Sequence, residues 1–309
     1  MAEVTDNKVD LGTSKVRQLD FQVAGHPGVL EVEDGGMIIK PLNQRELQFY
    51  EGSKGCSELQ SFMPMFYGTL ELAETETSDS ISSPEPIEKP KYLCVENLVH
   101  GFKEPCVIDV KLGSRLWDVD ATPEKQERMA KKAERTTSGS LGLCITGMRL
   151  YGEPAADRDW CRDLTPATIM DAFEMYFAAA EKKISMEYRN QIIEQLIEEI
   201  MELKAVVEKI ETRMYASSLL FIYEASKEQY DSLLNKAGVD KPKGGIGNVE
   251  SNCIGSGSDS DGGSDDGALV YMKAIDFAHS HWTPGQGPDD NYLAGVNKLV
   301  EILETFLLK

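Results

Sequence analysis

PCVIDVKLG, Pro105 to Gly113, decides how this chain is read: a short apolar run closed by glycine carries an acid and a lysine two positions apart. Side chains alternate along a strand, so Asp109 and Lys111 project from one face while their neighbours project from the other. A carboxylate and an ammonium held this way suit a place where a nucleotide meets an anionic acceptor. A solvated strand face produces the same spacing. Two downstream stretches bear on the choice, SSLLFIYE at Ser217 to Glu224 and IDFAHS at Ile275 to Ser280.

The chain has 309 residues, enough for one large core or two lobes, and a formal net charge of -20. No apolar run approaches the roughly 20 residues a membrane span needs. The excess of acid argues against broad non-specific binding of nucleic acid or anionic lipid, which depends on cationic surface to displace counterions. Six cysteines, Cys56, Cys94, Cys106, Cys144, Cys161 and Cys253, form no C-x-x-C pair, and no signal peptide precedes Val4 to Asp10. Reduced thiols inside a cell are the plain expectation. None of the four histidines has H-E-x-x-H spacing, which argues against an ordinary zinc site. The local exception to the acidity lies between Lys103 and Arg149, which holds Lys111, Arg115, Lys125, Arg128, Lys131, Lys132 and Arg135.

Residues 1–20 are polar and unpatterned, which predicts a mobile N-terminus. Strand-like runs follow at Val29 to Val32, Gly36 to Lys40, Phe66 to Leu70 and Tyr92 to Asn97, a small sheet lobe over residues 21–98. Its Thr75 to Pro90 segment reads as an exposed loop. Residues 99–309 form the larger part. There Ile169, Phe173, Tyr176 and Phe177 have helical spacing after the capping-type Thr165-Pro166. A longer helix is expected over Met186 to Thr212 and a last amphipathic one over Tyr292 to Leu308. The tract GSGSDSDGGSDDG, Gly255 to Gly267, within a loop over 238–267, is too polar and glycine-rich to offset its ordering entropy. A passive spacer, a site of phosphorylation and a docking site for a basic protein partner are the readings of it.

The P-x-x-x-D-x-K-x-G pattern, the S-S-L-L block and the I-D-F segment, in that order, resemble the inositol polyphosphate kinase family. The resemblance runs from about Ala24 to the C-terminus. It implies an α+β fold of two lobes, a small N-terminal sheet lobe and a larger C-terminal α/β lobe, distantly protein-kinase-like, with ATP and Mg2+ in the cleft. It implies Lys40 as the nucleotide lysine, oriented by Glu46, and Glu96 and Leu98 as adenine contacts, with Leu219 and Leu220 as an apolar floor. Asp109 would bind ribose and Lys111 would touch the acceptor and the transferred phosphate. Asp276, similar to the metal-binding acid of the D-F-G motif in protein kinases, would hold magnesium, and His279 would bind the acceptor. Lys111 and Asp276 are the expected catalytic pair.

The acceptor segment, 118–140, places Lys125, Arg128 and Lys132 on one face of a helix, three cations suited to a ligand bearing several phosphates. Trisphosphate kinases of narrow specificity carry a long helical insertion in this region. Here there is room for a short helix or turn, which implies an open acceptor site and broad specificity. Within the family, ERMAKKAERTTSGSLGLCITGMRLY and IDFAHSHWTPGQG look most like the fungal multikinase branch, whose activity is sequential phosphorylation of inositol 1,4,5-trisphosphate to tetrakis- and pentakisphosphate. Hexakisphosphate kinases share a similar basic segment and D-F-A-H-S, and are the alternative. The resemblance further implies a nuclear location; a monomer, present in the cytoplasm as well, is expected. A reading of a different class is a nuclear scaffold that docks through the acidic loop and the helix bearing Ile193 to Ile210.

Overall fold

The structure, a computed structural model, describes residues 8, 9, 11, 15–19, 23, 28–71, 91–156, 158–236 and 269–308. Thr75 to Pro90 and Gly255 to Gly267 lie outside the described residues.

The first lobe is built on β1 (Val16–Gln18), β2 (Leu30–Val32), β3 (Met37–Pro41), β4 (Phe66–Glu71) and β5 (Lys91–Glu96), with α1 (Gln44–Ser53) and α2 (Ser57–Gln60) between β3 and β4. The strands form one antiparallel sheet in the order β1-β2-β3-β5-β4. Sequence alternation marks four of these strands to within two residues. It misses β1, which pairs Val16–Gln18 with Val32–Leu30 inside a stretch that shows no pattern. In the same stretch the Val9 N–H donates to the Thr69 carbonyl at 2.8 Å.

The larger lobe contains β6 (Pro105–Leu112), α3 (Pro123–Glu134), α4 (Thr137–Leu141), β7 (Leu143–Arg149), α5 (Arg158–Arg162), α6 (Ile169–Lys183) and α7 (Met186–Val207). It continues with β8 (Thr212–Met214), β9 (Ser218–Glu224), α8 (Lys227–Lys236), β10 (Val270–Ile275), β11 (Ser280–Trp282) and α9 (Asp290–Leu307). Four of its strands make a second antiparallel sheet, β10-β9-β6-β7, and β8 pairs with β11 in a separate ribbon.

Alternation along β6 divides this sheet. Cys106, Ile108, Val110 and Leu112 enter the main core with Leu219, Phe221 and Tyr223 of β9 and Met272 and Ala274 of β10. Against them pack Phe173, Tyr176 and Phe177 of α6, Ile192, Leu196 and Leu203 of α7, and Val296, Leu299 and Leu303 of α9. Apolar residues at intervals of three and four turn one stripe of each helix inward. Val107, Asp109 and Lys111 occupy the opposite face.

Helix α6 is regular from Ile169, and the turn before it agrees with the capping role expected of Thr165: Thr165 and Thr168 exchange side-chain to backbone hydrogen bonds at 2.9 and 3.3 Å, and the Ile169 N–H donates to the Thr165 carbonyl at 2.9 Å. One helix end differs from expectation. Helix α7 ends at Val207 rather than Thr212. No glycine or proline stops it; tertiary pairing does. Glu211 accepts the Gly285 and Gly287 N–H groups at 2.6 and 3.0 Å, and Thr212–Met214 joins Trp282–Ser280 in the ribbon.

Helix α9 crosses the sheet edge at Gly295, where an added Cβ would stand 2.6 Å from the Gly142 carbonyl oxygen and 2.9 Å from the Gly113 nitrogen. Both neighbours are backbone, so neither can swing aside. Gly295→Ala is therefore expected to destabilise the fold by about 1–3 kcal/mol, read as a lowered thermal midpoint; an unchanged midpoint would contradict this packing.

Candidate active site

The polar face of the second sheet is ordered by register. Lys111 lies opposite Ser218, which lies opposite Ile275; one step along, Asp109 lies opposite Leu220, which lies opposite Lys273. Asp109 is buried, at 3% exposure, and its Oδ1 makes no hydrogen bond among the described residues. Burial pushes its pKa up and the Asp276 charge adds to this, while Lys111 and the neighbouring Thr146 and Ser218 hydroxyls pull it down. Lys111 directs its Nζ to the Ala216 carbonyl at 2.5 Å, and Ala216 is held at φ 55°, a conformation that L residues with a Cβ rarely adopt.

Among the described residues Asp276 is the other non-glycine residue with positive φ, at 65°. MKAIDF reads as one apolar strand with Asp276 on it, but Asp276 lies one residue past the end of β10 and is half-exposed. The left-handed turn, which Asp tolerates better than most residues, takes its carboxylate off the sheet. Phe277 then enters the core, stacked on Phe49 at 4.8 Å and edge-on to Tyr50 at 5.5 Å, both residues of α1. Non-glycine residues in this conformation concentrate at functional sites.

The same helix brings the first lobe to this point. Asn43 caps α1, its side chain accepting the Arg45 and Glu46 N–H groups. Glu46 is buried; its Oε1 accepts Lys40 Nζ at 2.6 Å and the Phe277 N–H at 3.3 Å. Lys40, Glu46 and the backbone next to Asp276 thus form one chain of contacts. Where β5 leaves the first lobe, the Glu96 carboxylate is engaged by the Met65 N–H and the Tyr271 hydroxyl, at 3.0 and 3.1 Å. Leu98 joins Val107 and Ile222 in a small apolar cluster, with Leu220, Tyr271 and Ile275 packed against it. Leu219 does not line this surface: it pairs with Val110 and points to the main core, because strand neighbours face opposite sides.

Lys125, Arg128 and Lys132 lie on α3, a three-turn helix of 12 residues capped by Thr122 Oγ1 with Pro123 in its first turn. Lys125 is half-buried and the other two are exposed. Neighbouring Lys131 is paired with Glu127 at 2.6 Å. His279 stands where the acceptor segment meets the sheet. Burial lowers its pKa, and the cations Lys125, Arg45 and Lys111 lower it further against the opposing charge of Asp120, which favours the neutral ring. Lys40, Glu46, Asp109, Lys111 and Asp276 are thus joined by contacts or mutual charge effects, and Lys125 and His279 adjoin them.

Sequence reading missed one cluster. Arg45 pairs with Asp118 and Asp120, the latter at 2.6 Å, and Asp118 lies between His279 Nδ1 and His281 Nδ1 at 3.7 and 3.6 Å. The only signal was that Arg45 directly precedes Glu46. No group of three or more His, Cys, Asp or Glu able to hold a metal occurs among the described residues. Asp276 fits a magnesium-like ion instead, as a half-exposed hard-oxygen donor for a cation that takes one or two carboxylates and completes its shell with phosphate and water. A separate cavity of about 730 Å³ lies between α6 and the β7–α5 loop, lined by Tyr151, Trp160 and Met175 among others and by none of these site residues.

Residues 92–304 match the model of the inositol polyphosphate kinase family. The inositol polyphosphate multikinase of Saccharomyces cerevisiae is 33% identical, the match covering 94% of this chain and 98% of that protein. A crystal structure of inositol phosphate multikinase from the same yeast, in complex with ADP and Mn2+, superposes with a TM-score of 0.69 at 33% identity over 88% of this chain and all of that one. Human inositol hexakisphosphate kinase 1 is 32% identical, but the match covers 83% of this chain and 61% of that protein. The chain belongs to the inositol polyphosphate kinase family.

Proposed function

We propose that this protein is an inositol polyphosphate multikinase, moving the γ-phosphoryl group of ATP in turn to free hydroxyls of inositol 1,4,5-trisphosphate. The observation that carries the reading is the meeting of Asp109, Lys111 and Asp276 at one end of the second sheet, with Glu46 joining Lys40 to the backbone just after Asp276. The near full-length similarity to a fungal multikinase, against partial coverage of the hexakisphosphate kinase, supports the choice of branch.

Phosphoryl transfer is chiefly positioning and charge neutralisation. In this reading Lys40, held by Glu46, steadies the nucleotide phosphates. The Leu98 cluster takes the adenine, and the orphaned Oδ1 of Asp109 accepts a ribose hydroxyl. Asp276 would hold Mg2+, which when bound neutralises phosphate oxygens. The acceptor hydroxyl oxygen bonds to the γ-phosphorus as the bond to the bridging oxygen breaks, ADP departs with that electron pair and the hydroxyl proton passes to solvent water. Lys111 meets the charge on the moving group, and Lys125, Arg128, Lys132 and His279 hold the acceptor phosphates.

Lys132→Ala is expected to raise the Michaelis constant for inositol trisphosphate severalfold and leave that for ATP unchanged; a rise confined to ATP would overturn the acceptor assignment. The branch is tested by supplying hexakisphosphate with Mg-ATP. Pyrophosphate products from it, with no turnover of trisphosphate, would move the protein to the hexakisphosphate kinases. No transfer to either would leave the scaffold reading.

A further inference from the structure

Two consecutive residues at the start of α1 face opposite halves of the site. Glu46 turns to Lys40 and the Phe277 N–H. Arg45 turns to Asp118 and Asp120, where the chain enters the acceptor segment. Asp120 is exposed, and an exposed ion pair contributes little. Asp118 differs, because its carboxylate is buried at 1% exposure. A buried charge requires both a counter-ion and hydrogen bonds, and Asp118 has them: Arg45 is the counter-ion and the Val119 N–H donates to its Oδ1 at 2.9 Å.

The segment that Asp118 anchors leads straight into the acceptor helix. The Ala121 N–H donates to the Asp118 carbonyl at 3.3 Å, Gln126 Nε2 donates to the Ala121 carbonyl at 2.8 Å, and Thr122 caps α3 ahead of Lys125. At its other end the segment is held by Asn291 of α9, whose Oδ1 accepts the Ser114 and Arg115 N–H groups at 3.0 and 2.8 Å. Among the described residues, the ion pairs that tie this segment to the lobe carrying Lys40 are those of Asp118 and Asp120 with Arg45. His279 and His281 hold their Nδ1 atoms 3.7 and 3.6 Å from the Asp118 carboxylate, and neither Nδ1 has a hydrogen-bond partner among the described residues.

We infer that Arg45 and Asp118 are positioning residues that set the acceptor helix and His279 against the nucleotide, so that the two substrates meet in register. This rests on the reading of α3 as the acceptor side. The fixed fork of the arginine grips Asp118 while Glu46, on the same turn, grips the nucleotide lysine; α1 thereby carries the alignment from one substrate to the other. A shift of α3 relative to the nucleotide lengthens the distance from hydroxyl to γ-phosphorus without removing any group that touches ATP.

The test compares R45Q, D118N and the double variant R45Q/D118N, following the Michaelis constants for inositol trisphosphate and for ATP, the turnover number and the thermal midpoint. R45Q strands a buried carboxylate and is expected to lower the midpoint; the double variant, neutral at both positions, is expected to recover it. The acceptor Michaelis constant is expected to rise about tenfold in R45Q and to stay raised in the double variant, with that for ATP unchanged. Hydrogen exchange of α3 should quicken in both. A double variant that regains normal acceptor kinetics together with its stability would show a merely structural pair and overturn the inference. So would a change confined to ATP. A wild-type protein that transfers nothing to trisphosphate would overturn the acceptor reading itself, a different result from active variants with unaltered acceptor constants.

Discussion

Asp276→Asn is expected to reduce phosphoryl transfer on the order of 10³-fold or more while leaving the fold and acceptor binding in place. Asparagine keeps the shape of the side chain and also tolerates the left-handed conformation, so the φ of 65° is preserved. What is lost is the negative charge on the half-exposed oxygen donor that the reading assigns to the metal. Asp276→Ala removes the same charge, but it places a residue with less tolerance for positive φ next to buried Phe277 and adds a stability cost of about 1–2 kcal/mol. The pair of variants separates chemistry from strain: both should lose transfer, and only alanine should lower the thermal midpoint. Retention of more than a tenth of wild-type turnover in Asp276→Asn would remove Asp276 from the catalytic assignment.

Lys111→Met should lower turnover by about 10²–10³-fold, the scale found when one preorganised donor to a developing charge is removed. Methionine keeps much of the stem volume and discards the ammonium. The consequence extends to Asp109, whose pKa is raised by burial and held back by Lys111. With that cation gone the pKa of Asp109 rises further, so a larger share of it is protonated at a given pH. The acid limb of the pH-rate profile is therefore expected to move to higher pH in Lys111→Met. An acid limb that stays in place, or moves to lower pH, would show that Asp109 ionisation does not govern the rate.

How much of this was legible in the sequence depended on whether the cause was local. Strands β2 to β6 announce themselves because alternation and bounding glycines or prolines are properties of a few consecutive residues. The stripes of α6, α7 and α9 are equally local. The end of α7 was not, since it is set by Glu211 reaching loop residues 74 and 76 positions away. The Arg45–Asp118 contact spans 73 positions and leaves no pattern in either neighbourhood. Leu219 and Leu220 show a middle case: alternation alone requires that they face opposite sides, but only the register against β6 shows that Leu220 shares the face of Asp109. The turn at Asp276 was hidden because IDF reads as a continuing apolar strand. Lys40 and Glu46, expected from their order along the chain, meet in space, and Glu46 also accepts the N–H of Phe277, which stacks on α1.

The most direct measurement is a time course of inositol 1,4,5-trisphosphate with Mg-ATP and purified protein, its products separated by anion exchange. The account predicts a tetrakisphosphate that rises and then falls as pentakisphosphate accumulates, with one ADP released for each phosphate added. A trisphosphate peak that stays unchanged while ATP is intact, or a tetrakisphosphate that is never converted, would contradict it.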